Sequence, residues 1–403
     1  MTRLRDFCTR LFFRHFFRLL LFAVSLAEWV CLAAALEHAG VRLAALHHAV
    51  GALALYGTNR LLVRLREETL PLLGRASLRV YSAFAFTCLF GALFLVAHDA
   101  FWWVLASGAH AAPTPWLETA PDVSRFYGLG AIFVLFLYGY TVGQRRLTVT
   151  RLELPLRGAP EALRGLRIVH VSDIHLGRYM SPAAFARYAR KIQALDPDLL
   201  FLTGDILDSL DAIPGGFPVL ARLRGRYGTF AVLGNHDFYA GPDEVARALE
   251  RHTSFVPLRN ERRTLLVRGV PVHVLGLDDL GRDWCRGVSF HPALARLLED
   301  LPEEGVSILL SHRPDVFPQA AEAGVSLVLS GHTHGGQLSL PFWPRPLSLA
   351  RAVTRYDRDL FRNGESWLYV TRGVGCTGQR IRLFTPRDIG VIEILPDPSL
   401  RDA

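Results

Sequence analysis

Hydrophobic and polar positions follow two different rhythms along the chain. Up to about residue 150, apolar residues come in long windows, at 19–36, 43–62, 80–105 and 126–142. A bilayer core ~30 Å thick needs about 20 helical residues, so the first, third and fourth windows are near or above spanning length. The second is marginal, because it carries His47, His48, Asn59 and Arg60. After Arg151 the rhythm shortens. β-Branched runs that end in polar clusters recur at 168–172, 199–203, 230–233, 272–277, 307–311, 327–330 and 367–371. Amphipathic stretches between several of them predict helices over 182–195, 242–252, 292–300 and 314–323, and proline at or near their starts suits a first helical turn. Apolar strands alternating with helices define an α/β domain over 151–403, in which sites form at the carboxyl ends of strands. A helical membrane region over 1–150 precedes it. No internal repeat or low-complexity tract interrupts either part.

Composition agrees with a membrane part. The 403 residues are 50% hydrophobic, which excludes a disordered or fibrous chain. The net charge of +8 is unevenly placed: residues 1–150 hold 14 arginines and 8 acids, whereas 151–403 hold 31 basic and 29 acidic groups. A nucleic-acid reader would concentrate basic groups on its soluble part, so no nucleic-acid partner is expected. Arginine placement decides the topology instead. Arg3, Arg5, Arg10, Arg14 and Arg18 precede the first window; Arg60, Arg64, Arg66, Arg75 and Arg79 lie around the segment between the second and third; Arg145 and Arg146 follow the fourth. Only Arg42 and Arg125 occupy the other two segments. Four crossings put twelve of fourteen arginines on one side, which predicts about four helices with both termini cytoplasmic. No small-residue cleavage site follows the first window, and further spans come after it, so it does not read as a signal peptide. The Arg145–Arg146 pair lies too deep for a twin-arginine export signal.

Among polar residues in the windows, Glu28 either pairs with another helix or serves a relay. His98 and Asp99, beside Phe101, Trp102 and Trp103, mark a membrane–water interface. The five cysteines (Cys8, Cys31, Cys88, Cys285, Cys376) form no CxxC pair, a pattern suited to a reducing compartment.

The strand ends carry the chemistry. They read Ser172–Asp173–Ile174–His175, Thr203–Gly204–Asp205, Gly234–Asn235–His236–Asp237, Ser311–His312 and Ser330–Gly331–His332–Thr333–His334–Gly335–Gly336. Each alone is a common turn or a core histidine. Together, in order and each at a strand end, they bring His, Asp and Asn side chains to one edge, as a metal site requires. Glycines beside four of the groups allow tight turns and close backbone approach.

These blocks resemble the five motifs of the calcineurin-like metallophosphoesterase superfamily, D-x-H, G-D, G-N-H-D/E, H and G-H-x-H, over about residues 165–395. The run from Arg372 to Phe384, with Thr385–Pro386, is similar to the end of a bacterial membrane-associated branch. The resemblance implies a four-layer αββα sandwich with a binuclear metal centre. Asp173, His175 and His334 would hold one ion, Asn235, His312 and His332 the other, and Asp205 would bridge both. Carboxylates with imidazoles and no Cys suit Mn²⁺, Fe or Zn²⁺, and a shared anionic ligand offsets repulsion between ions ~3.5–4 Å apart. The implied reaction is hydrolysis of a phosphoester or pyrophosphate bond by a hydroxide held between the metals. His236 would stabilise the transferring phosphoryl group or protonate the leaving oxygen. Asp237 either orients His236 or caps the turn. The purple acid phosphatase branch carries a tyrosine where this chain has Asp208, so an enzyme of that kind is not expected.

The helices provide the lever on substrate. An integral protein of a bacterial inner or plasma membrane, with its catalytic domain on the cytoplasmic side, would meet lipid-borne phosphates such as a lipid A precursor. The Pro-rich segment 340–349, with Phe342 and Trp343, contacts acyl chains or packs on its own domain. The alternatives are a broad phosphodiesterase acting on soluble nucleotides, and a transporter or sensor whose phosphoesterase domain is regulatory.

Overall fold

The computed structural model describes residues 2–65, 67–108, 115–281, 292–299, 301–341 and 346–399. The chain separates into two compact units, Met1–Val142 and Gly143–Ala403.

Among the described residues the first unit holds four α-helices: α1 (Thr2–His38), α2 (Ala45–Leu62), α3 (Leu72–Gly108) and α4 (Pro115–Thr141). Three stretches, Arg18–Glu37, Leu72–Ser107 and Thr119–Arg145, are long and apolar enough to cross a membrane by length and composition. α2 exists as expected but falls short of that standard, because its polar residues serve its neighbours. Asn59 donates to Glu28 Oε2 (2.6 Å) and to Ser25 Oγ (2.9 Å) of α1, and accepts from the Tyr81 hydroxyl of α3 (2.8 Å). Trp29 donates to His48 (3.3 Å). Glu28 thus does pair with another helix, and a buried amide tying three helices limits the cost of burying polar groups. Between α3 and α4, His98 bonds Ser124 (2.7 Å) and Asp99 accepts from Arg125 (3.0 Å).

Among the described residues the second unit contains two six-stranded sheets. The first has the order β1 (Leu147–Pro155), β14 (Arg387–Leu395), β2 (Arg167–Val171), β3 (Leu199–Thr203), β4 (Gly228–Val232) and β5 (Val256–Pro257). The second has the order β12 (Asp359–Asn363), β13 (Ser366–Val370), β9 (Leu327–Ser330), β8 (Val306–Ser311), β7 (Val270–Leu277) and β6 (Glu261–Val267). A small hairpin pairs β10 (Ser339–Leu340) with β11 (Leu347–Ser348). The helices are α5 (Pro182–Gln193), α6 (Ile213–Leu220), α7 (Asn235–Ala240), α8 (Pro242–His252), α9 (Pro292–Leu298) and α10 (Phe317–Glu322). Asp300, the last residue of one expected helix, lies outside the described residues.

Period-2 alternation builds the layers. Along β3, Leu199 and Phe201 enter the core between the sheets, where they meet Val274, Ile308 and Leu329. Leu200 and Leu202 face the other way, against Phe185 of α5, Phe217 of α6 and Leu249 of α8. On the far side of the second sheet, Leu309 and Val328 pack on Leu294 of α9 and Phe317 of α10. Helices, sheet, sheet and helices form the αββα sandwich that the sequence implied. Each central strand is buried on both faces, which is why it reads as an unbroken apolar run. Truncating a fully buried centre such as Phe201 to Ala would cost ~3–5 kcal/mol.

Strands β2, β3 and β4 are mutually parallel, as are β7, β8 and β9. Their carboxyl ends therefore open on one edge of each sheet, and that common direction positions the site.

Candidate metal centre

The loops at these strand ends are braced against one another before any side chain is placed. Asp173 N donates to Gly204 O, and His175 N to Asp205 O, each at 3.0 Å. Gly331 must be glycine, since a Cβ there would fall 2.0 Å from Ser172 Oγ and 2.2 Å from Asp173 Oδ2. Five side chains expected at the site stand on left-handed backbone: Asp173 (φ 52°), His175 (53°), Asp205 (51°), His332 (68°) and His334 (50°). Such conformations cost ~1–3 kcal/mol each and persist where surrounding structure over-determines them. Five in one constellation mark a place where geometry, not stability, set the backbone.

The seven expected ligands converge in two groups. Asp173, His175 and His334 form one: His175 Nε2 lies 3.1 Å from His334 Nε2, and His334 Nε2 lies 3.4 Å from Asp173 Oδ1. Asp205, His312 and His332 form the other, with His312 Nε2 3.3 Å from Asp205 Oδ2 and 3.2 Å from His332 Nδ1. Asn235 joins it, its Oδ1 3.2 Å from His312 Nε2. Asp205 lies between the groups, because its Oδ2 is also 3.5 Å from His175 Nε2. Its Oδ1 accepts the backbone N–H of His236 (2.8 Å).

The donor set fits a cation. His312 donates its Nδ1 proton to Thr203 O (2.8 Å) and His175 donates its own to Asp208 Oδ1 (2.8 Å). Each Nε2 then faces the same carboxylate oxygen, Asp205 Oδ2, at 3.3 Å from His312 and 3.5 Å from His175. Acceptors converge on acceptors, inside a buried shell, an arrangement that a positive ion between them relieves. The electrostatics say the same. Burial opposes charge on His312, yet Asp205 and Asp173 outweigh it and push the imidazole up to about 10. Burial also works against the Asp205 carboxylate, but His312, His236 and His175 hold it well below its usual range. His332 and His334 go the other way, kept neutral first by burial and then by Arg313 and His175 respectively.

His236 is half-buried at the start of α7 and next to Asn235. Its Nδ1 lies 3.2 Å from Asp208 Oδ1, the same oxygen that accepts from His175. Burial lowers the His236 pKa, but Asp208 and Asp205 together raise it, while Asp208 itself is lowered to about 2 by the two rings. Asp237 does something else. Its carboxylate accepts from the backbone of Ile206 (3.0 Å), Leu207 (3.2 Å) and Gly234 (2.9 Å), so it caps the turn and fixes the Asp205 loop. Of the two roles open to Asp237, the structure places it in the capping one; Asp208 is the carboxylate on His236.

Sequence reasoning missed three further groups here. Asp208 registered only as the residue standing where another branch has tyrosine. Arg313, held by Asp279 (2.7 Å), reaches His332 Nε2 (2.7 Å). Arg382, fully buried, donates to the carbonyls of Arg372 and Gly375 (each 2.7 Å) and so fixes the loop behind His334. A buried arginine in a Gly-rich run was the one signal available for that position.

The two-sheet αββα sandwich thus brings metal-competent His/Asp groups to one edge of its parallel strands. The sequence matches the calcineurin-like phosphoesterase family over residues 166–336. The metallophosphoesterase YkuE of Bacillus subtilis is 32% identical over 239 residues, which cover 58% of this chain and 81% of that one. The chain belongs to this family. A Danio rerio protein named as a transmembrane protein with metallophosphoesterase domain is 31% identical, over 64% of this chain and 59% of its own. The UDP-2,3-diacylglucosamine pyrophosphatase LpxG of Chlamydia muridarum is 29% identical, over 62% of this chain and 90% of its own. The chain thus spans about 60% of the length of some relatives, a Campylobacter jejuni metallophosphoesterase included.

Proposed function

We propose that this protein is a binuclear-metal phosphoesterase that hydrolyses a phosphoester or pyrophosphate bond of a membrane-associated, lipid-linked substrate such as a lipid A precursor. The placement of Asp205 carries this reading, since one carboxylate oxygen lies within 3.5 Å of a histidine nitrogen from each group. Asp173, His175 and His334 would hold one divalent ion; Asn235, His312 and His332 would hold the other, with Asp205 shared. Mn²⁺, Fe and Zn²⁺ all suit the mixed carboxylate, amide and imidazole set. When bound, such ions supply Lewis acidity toward the phosphoryl oxygens and the attacking water.

The chain's own residues do the rest. His332 N donates to both oxygens of Asp173 (3.1 Å each) and so fixes that carboxylate. Asp208 holds His236 through Nδ1, which leaves Nε2 as the nitrogen that can pass a proton to the leaving oxygen. Three bilayer-length helices in the same chain support a membrane anchor over about residues 1–150; its placement in a bacterial inner membrane with the catalytic domain facing the cytoplasm rests on the arginine distribution, with α2 counted as a fourth crossing. The LpxG likeness supports a diphospho-lipid substrate.

The test is a panel of phosphoesters assayed with purified full-length protein, with and without chelator. Hydrolysis that needs added divalent metal, with higher kcat/KM on lipid-linked than on soluble substrates, is expected. Equal or better rates on soluble nucleotides would refute the lipid assignment, and metal-independent hydrolysis would refute the whole reading.

A further inference from the structure

The hairpin that follows the last histidine motif is amphipathic in the wrong direction for water. In its register Ser339 pairs with Ser348 and Leu340 with Leu347. The serines are buried. Ser348 donates to Asp357 (2.9 Å), and Ser339 accepts from Arg358 (2.5 Å). The leucines point out: Leu340 is 44% exposed and Leu347 52%, and the next turn adds Leu349 at 58% and Val353 at 70%. Phe384, 40% exposed, borders the same strand, because Ser339 N donates to the neighbouring Leu383 O (3.0 Å). Its φ of 54° is a strained conformation for a bulky aromatic side chain. Single exposed apolar residues need no explanation, but five clustered on one small hairpin and its borders do.

Leu340, Leu347 and Leu349 thus each turn about half of their surface outward. Phe342 and Trp343 lie outside the described residues. The face adjoins the site, since a Cβ on Gly336, two residues beyond His334, would lie 3.0 Å from Leu349 N. The exposed Arg355 stands in the following turn and gives positive charge beside apolar surface, whereas Arg351 is paired with Asp357 (3.4 Å). That combination suits the boundary between anionic headgroups and acyl chains. The same chain carries three helices long and apolar enough to cross a membrane.

We propose that this face, formed by Leu340, Leu347, Leu349, Val353 and Phe384, contacts the lipid bilayer and holds the rim of the catalytic site at the leaflet surface. The proposal rests on the membrane-tethered reading above and deepens it, by naming the surface through which lipid-borne substrate is met.

Spin labels on Leu349→Cys and, as a control, on the exposed helix position Glu250→Cys test it. The full chain would be placed in nanodiscs of phosphatidylcholine and phosphatidylglycerol, and the signal of the unsubstituted chain subtracted. At position 349, collisions with dissolved oxygen should rise and those with a water-soluble nickel complex should fall relative to position 250. Nickel access equal to that at 250 would overturn the proposal. So would a label shielded from both reagents, which would mean a protein cover such as a second copy. The kinetic counterpart is the Leu347→Asp/Leu349→Asp pair. The ratio of kcat/KM for a diacylglycerol-linked phosphoester in nanodiscs to that for p-nitrophenyl phosphate should fall at least ~10-fold, and an unchanged ratio would contradict it. Failure of the wild-type chain to hydrolyse either substrate, with the oxygen and nickel pattern intact, would refute the enzymatic reading and leave the lipid contact standing.

Discussion

Replacing Asp208 tests how the site is held together. One oxygen, Oδ1, accepts from His175 at 2.8 Å and from His236 at 3.2 Å, linking a proposed metal ligand to the proposed proton donor. Hydrogen bonds to a charged group are worth ~1.5–3 kcal/mol, against ~0.5–1.5 for neutral ones. Asp208→Asn keeps an acceptor in place and loses only the charge, about 1 kcal/mol per bond. At ~1.36 kcal/mol per decade, a loss of ~5–30-fold in kcat is expected. Asp208→Ala removes both bonds and frees His236 to rotate, so a loss of ~10²–10³-fold is expected, within the usual range for a displaced acid–base group. Metal affinity should fall ~10–100-fold through His175. Steady-state kinetics at saturating Mn²⁺, with metal content measured on the same samples, separate the two effects. Wild-type kcat in Asp208→Ala with full metal content would refute the role of this carboxylate.

Other substitutions probe other parts of the account. Gly331→Ala should drive its new methyl into Ser172 and Asp173, releasing metal from the Asp173 group and lowering stability by ~1–3 kcal/mol; metal analysis and thermal melting check both. His170 sits between the sheets with burial pressing its pKa down to about 3, so folding favours its neutral form. Its contribution is complete above the unfolded value of ~6.5 and is lost as pH falls toward 3, amounting to ~1.4 kcal/mol at about pH 5.5. Denaturant melts across that window should therefore show the wild type losing stability relative to His170→Leu as pH is lowered, and a constant difference between the two would contradict the reading. Glu28→Gln should leave hydrolysis of a soluble phosphoester unchanged within about twofold, because Asn59 can still bond it. A large loss would favour a sensor or transporter in which the helices control the enzyme.

Much of this was legible because parallel strands state their direction in sequence. The ends at Ser172, Thr203, Ser311 and Ser330 are abrupt changes from buried β-branched runs to polar groups, and each fell within a residue of its observed place. β1 and β14 were not foreseen. β1 alternates polar and apolar residues with little burial, and among the described strands it pairs with β14, more than 200 residues away. The first sheet thus starts at Leu147, ahead of the expected change at Arg151. α6 was hidden by Pro214, Gly215, Gly216 and Pro218, poor helix formers that packing against Phe185 and Leu176 overrides. The seven residues proposed as ligands were singled out by their motifs. Asp208 was not, because a carboxylate that orients two imidazoles has no spacing rule; only the folded loop brings it to them. α2 shows the same limit in the membrane region, where the residues that make it look polar are those its neighbours use.

Metal stoichiometry is the most direct test. Purified full-length protein, dialysed against Mn²⁺, would be analysed by inductively coupled plasma mass spectrometry beside Asp205→Asn and Asn235→Ala. Two ions per chain are expected in the wild type, with affinity at both positions weakened by Asp205→Asn and at one by Asn235→Ala. A single ion, or two that Asp205→Asn leaves undisturbed, would contradict a centre built around one shared carboxylate.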